Sequence, residues 1–289
     1  MTTEVCEAVN CDQGWHQVDS NRKKFVRIWK PAENVSPWGA VCILHGLGEH
    51  SGRYQNLAVE FVRAGLRVYA FDQQGHGHSP EKQACIESYD SVMDDVAAVL
   101  AWVQDHARLP TCLFGHSMGG NFVLNYALRR TPHPLCVISS SPMIRAVEEP
   151  AAPVETLLRA LKVFFPNFRM GSNVRPERLM SDPEEQAGLA NDELFHSKLS
   201  LRLGASLLDT GRWLIGNAPR LEVPTLLTHG TIDHKTSPEA SIEFAASAGS
   251  ICKLEILDGH YHDPFRDLER LKVIDLFVSY IRQRVEEAS

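Results

Sequence analysis

The chain has no long apolar run. Its longest, residues 96–103 (VAAVLAWV), holds eight residues, well short of the ~18 that a membrane-spanning helix needs. It has no basic excess either. Lys and Arg number 29 against 36 Asp and Glu, a net charge of −7, so nothing resembles the electrostatic footprint of a nucleic-acid binder. The same balance argues against a polybasic membrane anchor, though not against an apolar one. The N-terminal stretch MTTEVCEAVNCDQGW carries Glu4 and Glu7 and lacks both the basic and the apolar region of a secretory signal. The seven cysteines form no C-x-x-C pair, and Cys42, Cys112, Cys136 and Cys252 sit in short apolar runs, as small core residues do. The expectation is a cytoplasmic protein with reduced thiols, without a disulfide framework or a zinc site. Repeats and low-complexity tracts are absent, and the sequence sets no oligomeric state.

What is present reads as globular. The 289 residues are 44% hydrophobic and 22% charged, enough to bury a sizeable core. Short runs rich in Val, Ile, Leu and Phe at 25–29, 40–44, 67–71, 111–114, 136–139, 225–228 and 253–257 predict strands apolar on both faces. Between them, Val92, Val96, Val99, Leu100 and Val103 keep helical spacing, as do Leu271, Ile274, Phe277, Val278 and Ile281. This alternation predicts an α/β protein with a mostly parallel sheet and helices on both faces. Residues 143–217 interrupt it with no convincing strand, which divides the chain into a core of 1–142 plus 218–289 and a helical cap of 143–217. Long insertions on the loop side of such sheets often cover the site.

The strand at 111–114 runs into Gly115-His116-Ser117-Met118-Gly119-Gly120, and a helical pattern follows from Asn121. A sharp strand-to-helix turn crowds its neighbours, so residues without side chains belong there, and the turn lifts the Ser117 hydroxyl above the sheet edge. A serine needs a base to take its proton. In this arrangement the chain order is serine, acid, histidine. Asp233 follows the strand at 225–228. The strand at 253–257 is followed by Asp258-Gly259-His260-Tyr261-His262-Asp263. His260 and His262 compete as the base, and Asp258 and Asp263 read as caps of a turn or of a helix starting near Pro264. The oxyanion calls for two donors: the backbone N–H of Met118, and that of Leu47 in the turn His45-Gly46-Leu47-Gly48, which His45 braces. The turn at 71–79 (FDQQGHGHS) lacks a phosphate-cradle lysine and reads as a tight turn beside the site. His76/His78 and His260/His262 lack an H-E-x-x-H frame, so no metal is expected.

These residues resemble a known family. HGLGEHSGRY (45–54), FDQQGHGHS (71–79), GHSMGG (115–120), GTID (230–233) and YHD (261–263) look like the monoacylglycerol lipase group of the α/β-hydrolases, also called lysophospholipase-like or serine-aminopeptidase-like. The resemblance runs from about residue 15 to 282. It implies the α/β-hydrolase fold and selects His262, because the family's base follows an aromatic in a G-x-Y-H pattern. It matches Glu49, Arg53 and His116 to groups around the glycerol head, although Glu49 and Arg53 read equally as a loop-bracing ion pair. Animal members carry a second histidine three residues after the base and a cysteine three after the acid. Here these are Phe265 and Thr236, so the resemblance says less about product exit and preference for glycerol.

The implied activity is a serine carboxylic-ester hydrolase acting on monoacylglycerols or similar single-chain lipid esters, with no cofactor. The triad is Ser117, Asp233 and His262. Within the cap, Val154, Leu157, Leu158, Leu161, Val163, Phe164 and Phe165 spread over more than one helical face. That surplus either packs the cap on itself or, through residues such as Leu157 and Leu161, lines an acyl tunnel and touches a membrane surface. A lysophospholipase or thioesterase would share the whole mechanism. An aminopeptidase would need cap carboxylates for a substrate amine, which Glu148, Glu149 and Glu155 can supply. A non-catalytic binding module would normally lack part of the triad.

Overall fold

Each predicted strand is present, lengthened by one to three residues. The computed structural model describes residues 10–171 and 174–288; Glu4, Cys6 and Glu7 of the N-terminal reading lie outside the described residues. In chain order the larger elements are β1 (Asn10–Gln17), β2 (Lys23–Lys30), β3 (Gly39–Leu44), α1 (Gln55–Arg63), β4 (Leu66–Phe71), α2 (Tyr89–Ala107), β5 (Thr111–His116), α3 (Met118–Arg129), β6 (Cys136–Ser140), α4 (Ala152–Phe164), β7 (Arg169–Gly171), α5 (Pro183–Ala190), β8 (Lys198–Ser200), α6 (Leu201–Asn217), β9 (Thr225–Gly230), α7 (Pro238–Ala248), β10 (Cys252–Leu257) and α8 (Arg270–Ala288).

Eight strands form one sheet in the order β1-β2-β4-β3-β5-β6-β9-β10. From β4 to β10 every pairing is parallel, and β1 and β2 add antiparallel at one edge. β3, β5, β6 and β9 are buried along their whole length, as strands covered on both faces must be. Two cores flank the sheet. One gathers α2, α3 and α7 around Phe122, Val99 and Phe244; the other gathers α1 and α8 around Phe61, Phe114 and Phe277. The parallel strands end on one side, where ligands bind in open α/β sheets. Among the described residues no helix is long and apolar enough to cross a membrane. Cys42, Cys85, Cys112, Cys136 and Cys252 are buried thiols.

The stretch between β6 and β9 corrects one expectation. It contains a short antiparallel pair, β7 with β8, joining Arg169 to Ser200 and Gly171 to Lys198. Three-residue strands are too short to show a period of two. The helix after Ser117 also starts at Met118, three residues earlier than its pattern suggested. Gly119 and Gly120 are poor helix formers, yet close packing requires them there. α4 has no buried residue and packs on α6.

Candidate active site

Ser117 sits between β5 and α3 with φ 54° and ψ −113°. A non-glycine residue in this sparsely populated region stores strain, and such positions cluster at functional sites. The neighbouring glycines permit the turn. A Cβ on Gly115 would lie 2.2 Å from the Gly119 carbonyl oxygen, and one on Gly119 would lie 2.2 Å from that of Leu44. Any side chain there would push α3 off the sheet.

The two histidines separate cleanly. His262 Nε2 lies 2.9 Å from Ser117 Oγ, and His262 Nδ1 lies 2.7 Å from Asp233 Oδ2. His260 instead contacts Asp267 through Nδ1 at 3.0 Å. The geometry thus joins Ser117, His262 and Asp233, and leaves His260 bracing its own loop. Burial pushes the Asp233 carboxyl up, but His262's charge and hydrogen bonds from His229 and His262 hold it well below the usual carboxylate range. Burial pushes the His262 imidazole down, but the charge and hydrogen bond of Asp233 outweigh this and raise it above its ordinary value.

The Leu47 and Met118 residues flank Ser117 on the wall of one cavity. Among the described residues no group accepts from either backbone N–H. His45 braces this loop: its Nε2 accepts from the Gln73 N–H at 3.1 Å. The loop is also held from below by a buried ionic network, of which sequence reasoning had the Glu49–Arg53 pair but missed Arg266 and Asp263. Glu49 Oε2 accepts from the Gly46 N–H at 2.9 Å and from the Tyr54 hydroxyl at 2.7 Å. Arg266, 2% exposed, donates to Glu49 Oε1 at 2.5 Å and to Asp263 Oδ2 at 2.7 Å. Asp263 Oδ1 in turn lies 2.8 Å from His116 Nε2. Burial opposes the charge on Glu49, and Arg266, His116 and Arg53 overcome it, holding the carboxyl well below its usual range. Asp263 therefore does not cap a turn or helix: its side chain makes no cap bond, because a buried carboxylate takes cationic partners. Asp258 stays at the surface and accepts from Thr231. A buried arginine looks like any surface arginine in a sequence. The only available signal was its three-residue spacing from Asp263.

The cavity has a volume of about 600 Å3 and opens on Ser117, within the range typical of small-molecule sites. Its walls are largely apolar, with Leu158 from α4, Leu207 and Leu208 from α6, and Leu179, Leu189 and Phe195 between them. Glu49 and His116 face it. Arg53 does not: it is buried in ion pairs with Glu49 and Asp192, each at 3.4 Å, which satisfy its guanidinium away from the wall. Leu157 and Leu161 also lie off the cavity wall and face outward. The α4 residues that face inward are Glu155, Leu158 and Arg159. The FDQQGHGHS turn braces the site, with Asp72 accepting from the Ser51 and His78 N–H groups, both at 2.8 Å. His116, His262 and Asp263 present ligand atoms within 4.8 Å of one another, enough for a metal in principle. Each is hydrogen-bonded within the protein: His262 to Ser117 and Asp233, Asp263 to Arg266 and His116, and His116 also to the Ser140 carbonyl.

The sequence profile of the serine aminopeptidase S33 family matches residues 35–269. A putative monoglyceride lipase of Schizosaccharomyces pombe is 33% identical over 247 residues, covering 82% of this chain and 65% of that protein. A monoacylglycerol lipase of Mycolicibacterium smegmatis is 30% identical over 258 residues, covering 88% and 91%. This chain also spans only 28% of a longer Dictyostelium discoideum relative. The crystal structure of a monoacylglycerol lipase from Paleococcus ferrophilus superposes with a TM-score of 0.80 at 29% identity, covering 91% of this chain and all of that one. A match over most of the chain, carried on this sheet topology, means that the chain belongs to the serine aminopeptidase S33 family of α/β-hydrolases.

Proposed function

We propose that the protein hydrolyses monoacylglycerols, or similar single-chain lipid esters, through a Ser117 acyl-enzyme. The observation that carries this is the Asp233–His262–Ser117 chain of contacts opening on a largely apolar cavity. Ser117 Oγ attacks the ester carbonyl while His262 Nε2 takes its proton. Asp233 holds the imidazole tautomer and stabilises the imidazolium. The Leu47 and Met118 N–H groups receive the oxyanion. The alcohol leaves with the proton from His262, and water then releases the fatty acid by the same route. No cofactor enters these steps. Residues 143–217 act as a cap on a core of 1–142 and 218–289. The cap's outward apolar face, with Leu157 58% and Phe164 78% exposed, meets a lipid surface, and the site of action is cytoplasmic.

The family's name and the carboxylates on the cavity wall favour a second reading, an aminopeptidase. Glu155, however, is engaged by Arg159 and Arg212, and Glu149 lies 3.8 Å from Arg212, which leaves Glu148 to meet an amine. A lysophospholipase or thioesterase would use the same triad. A substrate panel separates these readings: monoacylglycerol, lysophospholipid, acyl thioester and amino-acyl amide on the purified protein. Fastest turnover is expected on monoacylglycerol, with a fluorophosphonate labelling Ser117 alone. Preferred cleavage of the amide would establish the peptidase reading instead.

A further inference from the structure

A second histidine stands on the acid. His229, at the end of β9, is fully buried, and its Nε2 lies 3.0 Å from Asp233 Oδ2, the same oxygen that His262 contacts. Nε2 also lies 3.1 Å from the Thr236 carbonyl oxygen. The Thr236 hydroxyl is also 3.2 Å away, but Asp233 Oδ2 and the Thr236 carbonyl can only accept, so Nε2 carries the hydrogen. The other nitrogen, Nδ1, lies 2.7 Å from Ser241 Oγ on α7 and accepts its hydroxyl. Asp233 and Glu239 are charged groups that reach His229, and Asp233, Asp263 and Glu49 reach His262, whose ring also faces that of His116.

Asp233 is donated to from several sides. Oδ1 accepts from the Lys235 and Thr236 N–H groups at 2.6 and 3.0 Å. Oδ2 faces His262, His229 and, at 2.8 Å, Thr236 Oγ1. The Thr236 hydroxyl has one hydrogen and two acceptors, since Ser141 O lies 3.1 Å away. His229 is thus the second imidazole on Oδ2, beside His262, and its one Nε2 hydrogen is shared between Oδ2 at 3.0 Å and the Thr236 carbonyl at 3.1 Å.

We propose that His229 is a positioning residue: by donating to Asp233 Oδ2 it keeps the carboxylate ionised and turned toward His262. This rests on the triad reading above. Donation to the charged form stabilises it. Without it, the carboxylate would bind the imidazolium proton more tightly, and His262 would become the base only at higher pH. In wild type the Ser241 hydroxyl fixes the ring and thus the direction of the donated hydrogen.

The test measures pH–rate profiles on a short soluble ester such as p-nitrophenyl butyrate for wild type, H229F, H229Q and S117A. H229F keeps a ring and loses both nitrogens. Its kcat should fall about 10-fold, the order expected for one lost bond to a charged group, with KM within about 2-fold. The midpoint of the acid limb should move up by about 0.5 pH unit or more. H229Q keeps an N–H donor and should recover most of the rate and the wild-type midpoint. If H229F does not fold, H229L takes its place. An unmoved midpoint, with kcat falling only as thermal stability falls, would make His229 a packing residue and overturn the proposal. An S117A protein as active as wild type would overturn the triad reading itself. An inactive S117A beside an unmoved midpoint would remove only the role of His229.

Discussion

Replacing Arg266 with methionine tests whether the buried network holds the oxyanion loop. Methionine fills most of the space between the Tyr54 and Phe265 rings, each 5.0 Å from the guanidinium carbon, and removes the charge. Glu49 then keeps the Gly46 N–H, the Tyr54 hydroxyl and Arg53, and Asp263 keeps His116. Glu49 loses its strongest partner and Asp263 loses one of its two, neither regaining water. Removing one side of a buried ion pair costs about 3–5 kcal/mol. At ~2.1 cal/mol/K per residue, 289 residues give an unfolding entropy of about 0.6 kcal/mol/K, so Tm should fall by about 5–8 °C. The sign of the pH dependence follows from Glu49 and Asp263, both held below the usual carboxylate range in the wild type. Groups of this kind add stability above their unfolded values near pH 4 and lose it as the pH falls through their folded values. In R266M the folded values rise toward or past the unfolded ones, so that contribution shrinks or changes sign. The Tm gap between wild type and variant should therefore be widest near pH 7.5 and should narrow by about pH 3.5, below the unfolded values, where protonation relieves the stranded charges. Scanning calorimetry at the two pH values measures this. A gap under about 2 °C at pH 7.5, or one equally wide at both, would refute the reasoning.

The two loop histidines should differ sharply: H262A should lose turnover on the scale of S117A, on the order of 10⁶ in kcat for a serine triad, while H260A loses about 10-fold or less. In wild type kcat/KM should climb with pH through a midpoint above the ordinary histidine value of 6.5, because Asp233 raises His262 and only the neutral imidazole accepts a proton. Burial opposes the Asp72 charge, but His45 and the donors from Ser51 and His78 hold the carboxyl at about 2 against an ordinary 3.8. D72N should cost about 2 kcal/mol at pH 7, a loss that fades between pH 4 and pH 2 in thermal melts. L157S/L161S should weaken liposome flotation and slow long-chain monoacylglycerol hydrolysis while sparing p-nitrophenyl acetate. Equal slowing of both substrates would make the outer face of α4 merely structural.

The parallel strands were legible because burial on both faces leaves only apolar residues at positions such as Val41, Ile43, Leu113 and Ile138. β1 was not: its polar sequence NCDQGWHQ is mostly exposed, and what makes it a strand is backbone pairing with β2. α7 also escaped, although Ser237 caps it and Pro238 opens it, because its small residues set no clear period. Ser117 and Asp233 could be read from the strands they follow. The histidine could not, since His260 and His262 lie two residues apart in the loop after one strand, and only the resemblance separated them before the structure did. Arg266, Asp263, Glu49 and His116 come together from three distant segments, and no spacing in the chain encodes that meeting.

The helix α4 shows why composition and placement differ in what they reveal. Its apolar surplus was visible in the sequence, but which leucines face the cavity was not. On a helix, residues three and four apart share a face, so Glu155, Leu158 and Arg159 form one face and Leu157, Leu161 and Phe164 another. The rotation that decides between them is set from outside. Glu155 pairs with Arg159 on its own helix and with Arg212 on α6, and Arg159 reaches Asp209 on α6. These ion pairs turn Glu155, Leu158 and Arg159 toward α6 and the cavity, and among the described residues the second face is left largely exposed. A single surface salt bridge contributes little, but here three pairs act together with the partial burial of Leu158 against the cavity wall. The fixed rotation sends Leu158 toward the cavity and Leu157 toward whatever lies outside.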